Sequence, residues 1–224
     1  MSPRGIFITL EGLDGTGKST QARLLAGWLR RRGLEVRHTW EPGGTVLGRR
    51  LRVLLLREGE PGGIPVPEAE LLLWMADRAQ HVAQVLLPWL QRGAVVICER
   101  YTDSSVAYQV FGSGMDEELV ERLNRWVTGG LQPDLTFWLD LPVGERLPGA
   151  GTTGRDRIES QGEAFFRRVR EGYAALATRY PERIVRIEVA GKTRRAVQSE
   201  LRDVVVRRLG ERLQELGWGA PVRR

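Results

Sequence analysis

Five short apolar runs recur along the chain, at residues 5–10, 34–40, 94–98, 135–141 and 184–189. Each has strand length, and a stretch with helical spacing of apolar positions follows each one. The spacing predicts helices over about 18–32, 47–56, about 67–91, 104–108, 116–128, 163–179 and about 194–216. Gly33 stops the first helix, and Glu41-Pro42-Gly43-Gly44 turns the chain after the second strand. The Gly- and Pro-rich stretch 58–67 reads as a loop. The strands lack the in/out alternation of a half-exposed sheet, which suits a sheet covered on both faces. Strand–helix alternation with short connections predicts an α/β fold: a doubly wound, parallel, five-stranded sheet with helices on both faces. No internal repeat or long linker divides the chain, so 1–224 is expected to form one domain. The glycine-rich stretch 147–154 reads as a short mobile lid, about 144–158 with its edges.

Composition narrows the class. Hydrophobic residues make up 42% and charged residues 28%, ordinary globular usage that argues against general disorder. No apolar run approaches the roughly 18 uncharged residues of a membrane span. Met1-Ser2-Pro3-Arg4 leads straight into the first strand without a secretory pattern. One cysteine, Cys98, excludes an internal disulfide framework. These features predict a soluble, cytoplasmic protein with no membrane partner. The net charge is +6, and all but two of the 34 basic residues are arginine. Arginines are interleaved with acids, as in 167–171 and 207–215, so the charge does not by itself predict a nucleic-acid partner. In a chain that otherwise writes arginine, Lys18 suggests a requirement for a compact ammonium group.

That lysine closes a motif. Gly12-Leu13-Asp14-Gly15-Thr16-Gly17-Lys18-Ser19 fits G-x-x-x-x-G-K-[ST] between an expected strand and an expected helix. Glycines allow the positive φ that turns backbone N–H groups onto phosphate oxygens, and the helix adds its positive end. Residues Gly12 to Thr20 are therefore expected to hold ATP, with Lys18 on the β- and γ-phosphates and the Ser19 hydroxyl on Mg²⁺. Asp14 would repel a phosphate, so it is expected to face the acceptor instead. Glu99-Arg100-Tyr101 follows an apolar strand, where doubly wound sheets bind ligands. Glu99 suits Mg²⁺ through water and Arg100 a phosphate, although a surface ion pair would look the same.

These pieces together resemble the thymidylate kinases, which phosphorylate dTMP with ATP. The likeness is carried by Glu11–Thr20, Glu41-Pro42-Gly43-Gly44-Thr45, Ala76-Asp77-Arg78-Ala79-Gln80-His81, Glu99-Arg100-Tyr101 and Asp103-Ser104-Ser105-Val106-Ala107-Tyr108-Gln109. Asn124-Arg125, 128–134 and Asp156-Arg157-Ile158-Glu159 complete it. The resemblance implies that Trp74 stacks on thymine, with Arg78, Ser105 and Gln109 at the base edge. It implies that Tyr108 senses the sugar, and that Arg52 and Arg100 clamp the dTMP phosphate. Glu41 would lie near sugar and phosphate, and Asp14 would hold the 3′-OH or nearby backbone. Trp74 and Arg78 are four apart, on one helix face, which sets this role against plain core packing for Trp74.

The chain departs from the family pattern in several places. Glu99 stands for the usual aspartate, Trp74 for phenylalanine, and Trp40 for an arginine. Neither the phosphate loop nor 147–154 carries an arginine, leaving Arg146, Arg155 and Arg157 at the lid edges. Arg155, next to Gly154, is the expected catalytic lid cation, with Asp14, Lys18 and Arg100 as the other catalytic residues. Arg157 is equally readable as an ion pair with Asp156 or Glu159. His38 is expected to be structural and His81 part of the acceptor-side helix. The resemblance also implies a homodimer, through the apolar faces of 68–90 and 47–56. The rival expectation is a phosphate-loop ATPase that binds nucleic acid.

Overall fold

The expected strands form as β1 (Ile6–Glu11), β2 (Val36–Trp40), β3 (Val95–Glu99), β4 (Leu135–Asp140) and β5 (Ile184–Glu188). All pairings are parallel, in the order β2-β3-β1-β4-β5. The structure, a computed structural model, describes residues 5–56, 66–145, 147, 157–158 and 160–219. Central β1 is buried along its whole length. Ile6, Ile8 and Leu10 join one core with Leu25 and Leu29 of α1 (Lys18–Arg30) and Leu201 and Val205 of α8 (Arg194–Glu215). On the other face Phe7, Val96 and Cys98 meet Val82, Leu86 and Tyr101. There α7 (Glu163–Arg179) brings Tyr173 and Leu176 onto Trp138 and Ile184. Burial on both faces is why the strands read as apolar runs.

Two helices differ from their expected form. The stretch expected as one helix over 67–91 is α3 (Pro67–His81), a π-helical turn Val82–Leu86 and α4 (Leu87–Gln91). Pro88 lacks the N–H that a regular helix needs and its ring crowds the preceding turn, and the wider turn sits just before it. The helix expected over 104–108 is α5 (Thr102–Ser105), which runs into a π-helical stretch Val106–Gly112. The remaining helices are α2 (Val46–Leu56) and α6 (Glu117–Thr128), the latter capped by Asp116 Oδ1, which accepts from Leu119 N at 2.7 Å. Most of the expected lid, 146 and 148–156 with 159, lies outside the described residues. Among the described residues no helix is long and apolar enough to cross a membrane.

The sheet register places the chemistry. Leu10 of β1 and Trp40 of β2 both lie opposite Glu99 of β3. The loops leaving these three strands therefore emerge side by side at their carboxyl ends.

Candidate active site

The phosphate loop follows β1 at once. Gly12, Gly15 and Gly17 adopt φ of 130°, 83° and 86°. A Cβ on Gly12 would also lie 2.4 Å from the Leu139 carbonyl, so no other residue fits there. Buried Lys18 folds its Nζ back onto the carbonyls of Gly12 and Leu13, at 3.0 and 2.7 Å. Burial and the Arg100 charge lower its pKa to about 8, against the pull of Asp14, Glu99 and Glu11. It is thus still an ammonium at neutral pH. Ser19 Oγ donates to Glu99 Oε2, and His38 Nε2 bonds Glu99 Oε1 at 2.8 Å. Burial tends to raise the Glu99 carboxyl, but the bonds from His38 and Ser19 outweigh it and hold it low.

Beside the loop lies a cavity. Asp14, Glu41, Arg52, Trp74, Arg78, Arg100, Ser105, Tyr108 and Gln109 all line it, with Pro42, Leu56, Ser104 and Ile158. The nine residues expected at an acceptor thus meet in one place, although five different segments supply them. Arg100 donates to Asp14 Oδ1 at 2.7 Å and to the Tyr108 hydroxyl at 3.2 Å. Burial alone would raise the Asp14 carboxyl, but Arg100 and Lys18 hold it well below the usual carboxylate range. Arg100 itself has φ 66°. A non-glycine residue in that region costs on the order of 1–3 kcal/mol and persists only where its surroundings impose it.

Arg78 is buried and committed. Its Nε donates to Glu41 Oε2 at 2.8 Å, its Nη1 to Ser105 Oγ at 2.7 Å and to Asn124 Oδ1, and its Nη2 to the Tyr101 carbonyl at 2.9 Å. Four of its five N–H groups are spent, leaving one for the cavity. The other Glu41 oxygen bonds His81 Nδ1 at 2.9 Å, and His81 Nε2 reaches Thr39 Oγ1. Burial would raise the Glu41 carboxyl, but the Arg78 charge and the His81 bond keep it lowered. Half-buried Trp74 presents its ring to the cavity instead of the core and has only a long bond, 3.4 Å, to Glu70. Arg52 is exposed at the mouth, with Nη1 on the Pro42 carbonyl at 3.0 Å.

A model of the thymidylate kinase family matches residues 10–201 of this chain. The chain belongs to that family. Similar relatives include the thymidylate kinase of Alkalilimnicola ehrlichii, 48% identical over 204 residues that cover 90% of this chain and 93% of the relative. That of Gloeobacter violaceus is 50% identical, covering 89% and 94%. The fold matches the crystal structure of thymidylate kinase from Ehrlichia chaffeensis with a TM-score of 0.72 at 33% identity, over 90% of this chain and 98% of that one. The chain is therefore an enzyme, a kinase of nucleotide biosynthesis that uses ATP.

Several side chains of this thymidylate kinase family member have roles that its sequence spacing does not announce. His38, expected to be structural only, is the partner that orients Glu99. Glu70 gathers Trp74, Gln109 at 3.5 Å and Arg157. Arg157, expected as a lid cation or as a partner of Asp156 or Glu159, is buried, donates to the Leu55 carbonyl at 3.1 Å and pairs with Glu70. Arg146, Arg155, Asp156 and Glu159 lie outside the described residues. A second depression beside Gly17 is lined by Gln21, Leu147, Lys192, Arg194, Arg195 and Gln198. The second of the two lysines thus also lies on the donor side.

Proposed function

We propose that this kinase transfers the γ-phosphoryl group of ATP in one in-line step to a phosphate oxygen of dTMP, giving dTDP and ADP. The observation that carries this assignment of sites is the meeting of nine acceptor candidates in one cavity next to the phosphate loop. The loop Gly12 to Thr20 takes the donor phosphates, and the depression lined by Lys192 and Arg194 takes the nucleoside half of ATP. Trp74 stacks on thymine, Arg78, Ser105 and Gln109 meet its edge, and Tyr108 closes over the sugar. Arg100 and Arg52 hold the acceptor phosphate, with Asp14 holding Arg100 or the sugar and Glu41, which holds Arg78, near the sugar and phosphate. The acceptor is already an anion, so the protein needs no base and no covalent intermediate. Its work is to align two phosphates and to place Lys18 and Arg100 where charge spreads in the transition state.

Ser19 and Glu99 touch each other and offer only oxygen donors, the ligand type that Mg²⁺ prefers. Among the described residues no three His, Cys, Asp or Glu side chains form a metal cluster, so phosphate oxygens and water must complete that shell. When bound there, Mg²⁺ neutralises charge on the β- and γ-phosphate oxygens.

With Arg157 committed to Leu55 and Glu70, Arg155 remains our lid cation and Arg146 its alternative. We place the enzyme in the cytoplasm and as a homodimer. Exposed Val46, Val53 and Leu54 of α2 and Leu72 of α3 support the dimer. The test is ADP release with ATP, Mg²⁺ and each common nucleoside monophosphate. dTMP should far exceed the others. ATP hydrolysis stimulated by DNA, without dTDP formation, would overturn the reading.

A further inference from the structure

Glu11 is the last residue of β1, fully buried, and the transfer described above does not use it. Its Oε1 accepts the backbone N–H of Tyr101 at 2.7 Å. Its Oε2 accepts the hydroxyls of Ser104 and Tyr173, at 2.6 and 2.9 Å. Those same hydroxyls are the oxygens facing Arg100 Nη1, at 3.3 and 3.5 Å. A hydroxyl has one proton and two lone pairs. With their protons drawn to the carboxylate, or one to the other across 3.0 Å, Ser104 and Tyr173 keep lone pairs for the guanidinium. The bond to Tyr101 N meanwhile pins the residue that follows the left-handed backbone of Arg100.

We propose that Glu11 is a positioning residue for Arg100: acting through Ser104, Tyr173 and the backbone of Tyr101, it aims the guanidinium at the acceptor phosphate. The proposal rests on the reading of Arg100 as the clamp on that phosphate. Glutamine cannot replace the carboxylate. Its amide N–H₂ either faces the Tyr101 N–H, donor against donor, or turns hydroxyl protons outward toward Arg100. Burial, with Asp103 nearby, pushes the Glu11 carboxyl up to about 7, so ionising it in the folded chain costs stability.

The experiment is initial-rate kinetics, with dTMP and ATP each varied, on Glu11→Gln, Tyr173→Phe, their double variant and Arg100→Ala, with thermal unfolding alongside. Glu11→Gln should raise the KM for dTMP by roughly 10- to 100-fold, the scale of a small misplacement at a reacting centre. The KM for ATP should stay within about twofold, without a matching loss of Tm, a split that a merely structural role would not give. Tyr173→Phe should raise the dTMP KM less, and the double variant should add little to Glu11→Gln, as expected for one chain of contacts. If Glu11→Gln raises both KM values equally, or leaves that for dTMP unchanged while Arg100→Ala raises it, the proposal fails. If Arg100→Ala itself leaves the dTMP KM unchanged, it is the clamp reading that fails. Should Glu11→Gln not fold, Ser104→Ala and Tyr173→Phe decide by the same criterion. A rise selective for dTMP supports the proposal, and an equal rise for both substrates overturns it.

Discussion

Arg78 and Trp74 lie four residues apart on α3 and meet the acceptor cavity in opposite conditions: one is bonded on nearly every N–H, the other is a free ring face. Trp74→Ala should therefore weaken the proposed base stacking, worth roughly 1–3 kcal/mol elsewhere, more than it disturbs the Glu70 cluster. The dTMP KM should rise about 5- to 100-fold with the ATP KM unchanged, and equal rises would make Trp74 a packing residue. Tyr108→Phe removes a hydroxyl that accepts from Arg100 and faces the cavity. It should lower the ratio of kcat/KM for dTMP over ribothymidine monophosphate, and an unchanged ratio would place sugar selection elsewhere. Asp77 gives a test in stability. Its Oδ1 accepts Gly43 N at 3.1 Å, Oδ2 is buried without a hydrogen-bond partner, and burial with Glu41 nearby pushes its pKa up to about 6 from 3.8. The folded chain binds this proton more tightly than the unfolded one, so Asp77 loses stability as pH rises from about 3.8 through 6. Asp77→Asn mimics the protonated form, and its Tm relative to wild type should improve between pH 4.5 and pH 7. A constant difference across that range would contradict the raised pKa. Arg78 is placed at the base through the family resemblance and its spacing from Trp74, and the loop residues 12–20 were legible because their chemistry needs fixed types at short spacing. Glu11, His38 and Glu70 were not, because Tyr173, Glu99 and Arg157, which define them, come from far along the chain.

The strands were legible to within a residue or two: β1, β3 and β4 are buried on both faces, and an apolar run needs no knowledge of its neighbours. The partly exposed edge strands β2 and β5 still keep apolar positions. The helices that bend into π geometry were not legible: one wide turn precedes Pro88, and the other answers to tertiary contacts. The stretch Val106–Gly112 shows the reason: it lies under α7, close enough that a Cβ on Gly172 would meet the Phe111 ring at 2.9 Å and Ala107 Cα at 3.0 Å. Gly172→Ala should lower stability by about 1–3 kcal/mol despite the better helix propensity of alanine, because overpacking there forces the two segments apart. Thermal unfolding checks this, and an unchanged or raised Tm would show that the contact has slack. Tyr173 is the next residue, so the dTMP KM should rise in the same variant.

Apolar residues left on α2 and α3 belong to the scale of the whole molecule. Val46, Val53, Leu54 and Leu72, on α2 and α3, are each more than half exposed. If the proposed dimer forms through them, Leu72→Glu should shift the sedimenting species from dimer to monomer, and a wild-type monomer at micromolar concentration would dispose of this interface. The strand order has a different consequence, one that concerns synthesis. β1 is the first strand made and the central one, and both neighbours are made much later: Ile6 pairs opposite Val95, and Ile8 opposite Leu135. A nascent chain that has emerged only as far as residue 130 holds β1 with one flank bare, and the backbone N–H and C=O groups that pair with β4 have no partner there. Such a chain is expected to stay unfolded or to engage chaperones until β4 leaves the ribosome, so the phosphate loop that follows β1 waits on a strand more than a hundred residues further along.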